Sequence, residues 1–294
     1  MSSSDPGPIT VPRLARMKER GEKIVMLTAY DAPMARLVDA AGIDIILVGD
    51  SVGNVVLGYA NTLPVTLEEM IHHTKAVVRG VRRGLVVADM PYLSYHLEIR
   101  ESVRNAGRLI QEAGAGAVKV EGGRRRVSTI RAMREAEIPV MGHVGLTPQS
   151  VHDMGGFKVQ GRDSAAALAI LEDALALEEA GVFSVVLEGI PAQLASLITE
   201  RLSIPTLGIG AGPHCDGQVL VLHDLLGISP EPAPSFVRKY AEVGAAIRQA
   251  CERFASDVRT AAFPSETESY RMKPEVLEEI RSTLEASGRR RWRS

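Results

Sequence analysis

Six side chains able to do acid–base or metal chemistry recur at one kind of position in the chain. Asp50 follows an apolar run at 43–49, and Asp89 nearly ends another at 85–90. Lys119 and Glu121 sit two residues apart in the run 117–122, His143 lies in 139–145, and Glu188 lies in 184–190. Each alone has an ordinary reading. A strand-end Asp commonly caps the next helix, and a histidine in an apolar run is commonly a satisfied core residue. Buried carboxylates and lysines are costly unless paired or bound to a cation, so their repetition on five consecutive runs points to a shared site. Oxygen ligands from Asp50, Asp89 and Glu121 suit a hard cation such as Mg²⁺, held through one or two carboxylates with positions left for water or substrate. Zinc is disfavoured, because His143 is the only imidazole near these residues and no His-x-x-x-His pair occurs.

The elements that must position these groups alternate along the chain. Eight short apolar runs, at 24–29, 43–49, 85–90, 117–122, 139–145, 184–190, 205–210 and 218–222, read as strands buried on both faces. Helices are expected between them. The segment 66–80 opens with Thr66 and Glu69 in capping-box spacing. The segments 99–114 and 163–181 each close on glycine, and Pro191 stands where a first helical turn should begin. The helix after the seventh strand is expected to be missing or vestigial, because so few residues separate strands seven and eight. The pattern predicts a (β/α)8 TIM barrel, with a doubly wound sheet as the alternative. In a barrel, all six residues fall at or near the C-terminal ends of strands, the rim on which barrel active sites form.

Composition narrows the function classes. The 294 residues carry a formal net charge of −2, so no general attraction to nucleic acid or to a membrane is expected. Two cysteines exclude a disulfide scaffold. No apolar run approaches the ~18 residues of a membrane span, and residues 1–8 show no basic segment leading into an apolar core. A soluble, cytoplasmic protein is expected. Residues 1–262 are expected to form one catalytic barrel with a short basic helical lead-in, and 263–294 a polar extension. Within that extension, 274–287 can form an amphipathic helix with Val276, Leu277, Ile280 and Leu284 on one face. The basic end at 289–294 reads as a solvated tail. His72 and His73 are expected at the surface of the helix 66–80.

Two motif matches are set aside. Gly49-Asp-Ser-Val-Gly53 matches the nucleophile-elbow pattern, but that motif needs a helix directly after the serine, and Gly53-Asn-Val-Val-Leu-Gly58 argues against one. Gly208-Ile-Gly-Ala-Gly212 resembles a dinucleotide loop, but Pro213 breaks the pattern; a turn with close backbone approach is expected there.

A series of longer blocks occurs in order: Thr28-Ala-Tyr-Asp31, Gly49-Asp-Ser51, Val87-Ala-Asp-Met-Pro91, Val118-Lys-Val-Glu-Gly-Gly123, Gly142-His-Val-Gly-Leu-Thr-Pro-Gln-Ser150 and Gly155-Gly-Phe-Lys-Val-Gln-Gly-Arg162. Leu187-Glu-Gly-Ile-Pro191, Gly208–Gly212 and Cys215-Asp-Gly-Gln-Val-Leu-Val-Leu-His-Asp224 complete it. Over residues 10–270 the chain closely resembles the ketopantoate hydroxymethyltransferase family. The resemblance implies a barrel of the phosphoenolpyruvate/pyruvate type and a homo-oligomer, commonly a decamer. It implies transfer of a one-carbon unit from 5,10-methylenetetrahydrofolate to the α-keto acid 3-methyl-2-oxobutanoate. By family pattern Asp50 and Asp89 match Mg²⁺ ligands, with Glu121 joining directly or through water. Ser51 and Lys119 match substrate-binding positions, Glu188 matches the proton acceptor, and His143 lines the pocket. Tyr92 departs from the Phe that often follows Met-Pro in the family, and 271–294 extend past its usual end.

The chemistry implied agrees with the residues. Removing the weakly acidic proton beside a ketone needs a carboxylate base of tuned pKa, positive charge near the keto oxygens and a Lewis acid. A different metal-dependent α-keto-acid lyase on the same barrel is the first rival. Such enzymes carry a Lys-Lys-Cys-Gly-His loop, and no Cys-Gly-His occurs here. A non-catalytic binding barrel is the second; it would be expected to lose some of the acidic residues.

Overall fold

Eight short segments pair edge to edge, all in parallel, and close on themselves in chain order. They are β1 (Ile24–Thr28), β2 (Ile45–Val48), β3 (Leu85–Asp89), β4 (Ala117–Glu121), β5 (Val140–Gly145), β6 (Ser184–Glu188), β7 (Thr206–Ile209) and β8 (Gly217–Leu220), with β1 pairing both β2 and β8. The computed structural model describes residues 7–156, 158–229 and 233–287. The basic end at 289–294 and the first six residues lie outside the described residues. The closed sheet is the (β/α)8 barrel that the alternation predicts.

Helices α1 (Val11–Glu19), α2 (Ala32–Ala40), α3 (Val52–Val55), α4 (Leu67–Gly80), α5 (Ile99–Gln111), α6 (Val127–Glu135), α7 (Ser164–Glu179), α8 (Ala192–Arg201) and α9 (Leu222–Leu225) complete this unit. Thr66 and Glu69 form the expected capping box at α4. Asp163 caps α7 by accepting from the Ala166 N–H. No helix follows β7 among the described residues: the chain returns directly through 210–216. Backbone approach in that return is close. A side chain at Gly210 (φ +60°) would strike Phe236, and one at Gly212 (φ +78°) would strike Ala192.

The period of two along each strand sorts the core into two layers. Val86, Val118, Val120, Val140, Val185 and Leu187 point outward and pack with helix residues such as Val77, Leu109, Ile130 and Leu177. Met26, Ile45, Leu47, Leu85, Val87, Ala117, Met141, Val186, Leu207 and Val219 fill the barrel interior. Leu14 and Met17 of α1 join that inner cluster. The Ile9 N–H donates to the Arg83 carbonyl before β3, and Lys18 pairs with Asp216 before β8 at 2.8 Å. Helix α1 therefore closes the N-terminal end of the barrel and leaves the other end as the only mouth of this unit among the described residues.

The backbone divides into two compact units, Met1–Ala241 and Glu242–Ser294. The division falls one helix before the composition change at 263. The second unit contains α10 (Val243–Arg259) and α11 (Pro274–Ala286). The latter is the helix expected at 274–287, and Val276, Leu277, Ile280 and Leu284 on it are exposed. No helix among the described residues is long and apolar enough to cross a membrane.

Leu14 is fully buried at the end of the barrel away from the carboxylates. Leu14→Ala should cost about 2–5 kcal/mol of unfolding free energy in urea titration and leave the mouth chemistry of the folded protein unchanged.

Candidate active site

Strand parity places the charged groups. On β3 the inward positions run Leu85, Val87, Asp89, and on β4 they run Ala117, Lys119, Glu121. The apolar members of both series belong to the interior cluster. The next inward step towards the C-terminal end therefore carries charge into the mouth. Register then fixes neighbours: Asp89 lies beside Lys119, Glu121 beside His143, and Gly145 beside Glu188. Asp50 enters just past the end of β2. The structure brings all six expected residues to one mouth. Asp50, Asp89, Lys119, Glu121 and His143 are each at most 4% exposed.

Their contacts form two groups. Lys119 Nζ lies 2.5 Å from Asp89 Oδ1, while Asp89 Oδ2 accepts the Asp50 backbone N–H at 3.0 Å. His143 stands between two carboxylates, with Nδ1 3.4 Å from Glu121 Oε1 and Nε2 3.3 Å from Glu188 Oε2. Those separations are long for hydrogen bonds, and neither ring nitrogen has a well-formed partner. Glu188, at the rim, keeps some exposure. Ser51 Oγ shares a hydrogen bond of 2.8 Å with the buried Tyr30 hydroxyl. Contrary to the sequence reading, a helix does follow Ser51: the single turn α3, because Val52 is fully buried and the N–H groups of Asn54 and Val55 bond back to the Ser51 carbonyl. Ser51 still lacks the base a nucleophile needs, since its partner is a phenol. His72 is exposed as expected; His73 is partly buried, with Nδ1 2.8 Å from the Tyr30 carbonyl.

The electrostatics show what is missing. Burial, then repulsion from Asp89 and Glu121, pushes Asp50 well above the ordinary carboxylate range. Burial disfavours charged Lys119, but Asp89, Glu121 and Asp50 outweigh it and hold its amine above the usual value. Burial likewise disfavours charged His143, yet Glu121 and Glu188 carry it up to about 9. Glu121 is lowered: the cost of burial is overcome by His143 and Lys119. Four carboxylates thus crowd around one lysine and one histidine, and Asp50 is the one whose charge the protein leaves least supported. Among the described residues no three His, Cys, Asp or Glu side chains form a ready-made metal cage. The donor set nevertheless fits a divalent hard cation, which is held by one or two carboxylates and completes its shell with water and substrate oxygens. Asp50, whose Oδ2 accepts from Gln149 while its second carboxylate oxygen has no hydrogen-bond partner among the described residues, is one such donor.

Three polar groups of the site escaped the sequence reading. Each is buried: Tyr30 hydrogen-bonds Ser51, Gln149 donates to Asp50, and Tyr95 donates to Gln149 and accepts the Glu121 backbone N–H. All three come from loops after strands. Nothing in local spacing separates them from ordinary loop or core residues, although Tyr30 and Gln149 lie inside the motif blocks.

A family model described as ketopantoate hydroxymethyltransferase matches residues 8–266. The 3-methyl-2-oxobutanoate hydroxymethyltransferase of Syntrophomonas wolfei is 56% identical over 272 residues, covering 92% of this chain and 99% of that one. The enzyme of the same name from Trichlorobacter lovleyi is 57% identical over 262 residues, covering 89% and 98%. Among solved structures, a 2,3-dimethylmalate lyase of the PEP mutase/isocitrate lyase superfamily superposes with a TM-score of 0.55 at 16% identity, covering 96% of this chain and 98% of that one. Phosphonopyruvate hydrolase in complex with oxalate and Mg²⁺ gives 0.58 at 15%, covering 96% and 100%. At such identities these two speak for the fold alone. With the family model spanning the whole barrel and relatives above half identity over nine-tenths of its length, the chain belongs to the ketopantoate hydroxymethyltransferase family.

Proposed function

We propose that this protein transfers a hydroxymethyl group from 5,10-methylenetetrahydrofolate to 3-methyl-2-oxobutanoate, yielding 2-dehydropantoate and tetrahydrofolate, with Mg²⁺ as cofactor. Water supplies the hydroxyl oxygen. One observation carries the reading: Asp50, Asp89 and Glu121 are buried around Lys119, with a less buried carboxylate, Glu188, at their edge.

Asp50 and Asp89 would hold the cation. One Glu121 oxygen accepts the Gln149 backbone N–H at 3.0 Å, and Glu121 would join the cation directly or through water. When bound, the cation supplies Lewis-acid stabilisation of the negative charge that develops on the keto acid. Lys119 adds fixed positive charge beside the same oxygens, in a site where little water weakens it. Ser51 offers its hydroxyl to the substrate. Glu188 takes the C3 proton: it comes from β6, away from β2 and β3, and approaches the substrate from the side. His143 lines the pocket, with its Nε2 3.3 Å from Glu188. Water opens the methylene bridge of the folate, breaking both C–N bonds to give tetrahydrofolate and a formaldehyde-level carbon. The carbanion equivalent adds to that carbon, whose oxygen takes up a proton and becomes the hydroxyl. The active unit is a homo-oligomer, commonly a decamer in the family, and works in the cytoplasm.

Proton NMR in D2O, with Mg²⁺, 3-methyl-2-oxobutanoate and 5,10-methylenetetrahydrofolate, tests the proposal. Loss of the C3 methine, collapse of the methyl doublet and a new hydroxymethyl signal are expected. Methine exchange without the new signal would point to a different acceptor, and no exchange with metal bound would rule out this keto acid. Glu188→Gln should retain metal and keto-acid binding while slowing C3 exchange about 10²–10⁴-fold; exchange at the normal rate would move the base elsewhere. Asp50→Ala and Asp89→Ala should lose Mg²⁺ dependence and turnover together, by a factor on the order of 10³, and unchanged metal affinity in both would refute the ligand assignment.

His143 also leaves a signature in stability. Its pKa is raised from 6.5 to about 9 in the fold, so its ion pairs stabilise the protein fully below pH 6.5. That contribution declines as the pH rises and is lost through pH 9. The stability gap between wild type and His143→Asn, followed by urea unfolding across this range, should narrow accordingly. A gap independent of pH would mean that His143 is neutral.

A further inference from the structure

We propose that Gln149 is a positioning residue for the metal-binding carboxylates, locked in place by Tyr95. This inference rests on the metal assignment made above. Gln149 belongs to the 3₁₀ turn Pro148–Ser150 after β5, yet its contacts reach three other strands. Its amide Nε2 donates to Asp50 Oδ2 at 2.8 Å and to the Met90 carbonyl at 3.0 Å, beyond the ends of β2 and β3. Its backbone N–H donates to Glu121 Oε2 on β4. One residue therefore ties both an expected metal ligand and the carboxylate behind it to a fixed backbone.

The orientation of the amide is determined by chemistry. Asp50 Oδ2 and the Met90 carbonyl are both acceptors, so only the NH₂ end of Gln149 can face them. The oxygen end is held from the other side. Tyr95 donates its hydroxyl to Gln149 Oε1 at 2.7 Å and accepts the Glu121 backbone N–H at 3.2 Å. Tyr95 and Gln149 are 1% and 6% exposed. A buried amide left without these bonds would be costly.

The consequence for Asp50 is specific. Hydrogen bonding from Gln149 favours the charged carboxylate, opposing the burial and repulsion that raise it. It also commits Oδ2 and so fixes the rotation of the group, leaving the second oxygen to a cation. Outer partners of this kind set the orientation and basicity of metal ligands. Gln149 touches neither substrate nor metal in this account; it acts through Asp50 and Glu121.

The test is calorimetric titration of Mg²⁺ into the full-length protein in the presence of 3-methyl-2-oxobutanoate, without folate, together with a thermal melt. Gln149→Met keeps the length and the backbone bond to Glu121 but removes the amide. It should weaken Mg²⁺ binding about 10–100-fold, with stoichiometry retained. The activity profile should show a raised Mg²⁺ requirement, recovering in part at high Mg²⁺. Tyr95→Phe leaves the amide but releases it, and should weaken binding several-fold. Wild-type Mg²⁺ affinity in a folded Gln149→Met overturns the proposal, even if the melting temperature falls, because a merely structural residue moves stability and not affinity. Should Gln149→Met fail to fold, Tyr95→Phe decides by the same criterion. Failure of the wild type to bind Mg²⁺ overturns this inference and the metal assignment together. Wild-type binding without hydroxymethyl transfer removes the proposed reaction but leaves the positioning role to be judged by affinity alone.

Discussion

Charge held out of water at the barrel mouth, in excess of what the protein itself neutralises, is the constraint around which this molecule is arranged. Asp50, Asp89 and Glu121 are buried, and Glu188 stands at their edge; Lys119 and His143 are the cations set among them. Such a group is expensive to bury. The fold meets the expense by pairing Lys119 with Asp89, placing His143 between Glu121 and Glu188, and directing backbone and amide N–H groups at the remaining oxygens. These devices fall short of neutrality, and the remainder appears as the raised pKa of Asp50. A divalent cation bound at this mouth would relieve the repulsion among these carboxylates.

The rest of the barrel makes that crowding sustainable. The strands alternate so that one series of side chains grips the helices and the other fills the interior, and the interior series turns from apolar to charged towards the C-terminal ends of the strands. Helix α1 closes the opposite end with Leu14 and Met17. The charged layer therefore rests on a packed apolar floor. Glycine contributes at one decisive point. Gly145 adopts φ +95° where β5 ends, and a side chain there would collide with the Glu188 carbonyl. The bare backbone lets β5 and β6 stay in register at the level where His143 and Glu188 meet.

Legibility in the sequence followed the range of the forces involved. Strands with near-continuous apolar character, the capping box at Thr66 and Glu69, and the missing helix after β7 were readable because each depends on residues close together in the chain. The six charged residues were readable because a charge inside an apolar run has few explanations. The turn of helix after Ser51 was not, since glycine and valine argue locally against it and burial of Val52 overrides them. Tyr95 and Gln149 were not, because a tyrosine and a glutamine in loops look ordinary until folding buries them.

The sequence by itself determined the barrel, the family and the strand-end positions of the reactive groups, because periodicity, capping and motif order are written along the chain. Only the tertiary structure decided which groups are partners. Asp89 meets Lys119 through register between β3 and β4, and His143 divides its attention between Glu121 and Glu188 through register across β4, β5 and β6. Gln149 reaches Asp50 across 99 residues of chain. Closure of the sheet creates those neighbours, and burial within it shifts their proton affinities; neither exists before the strands come together.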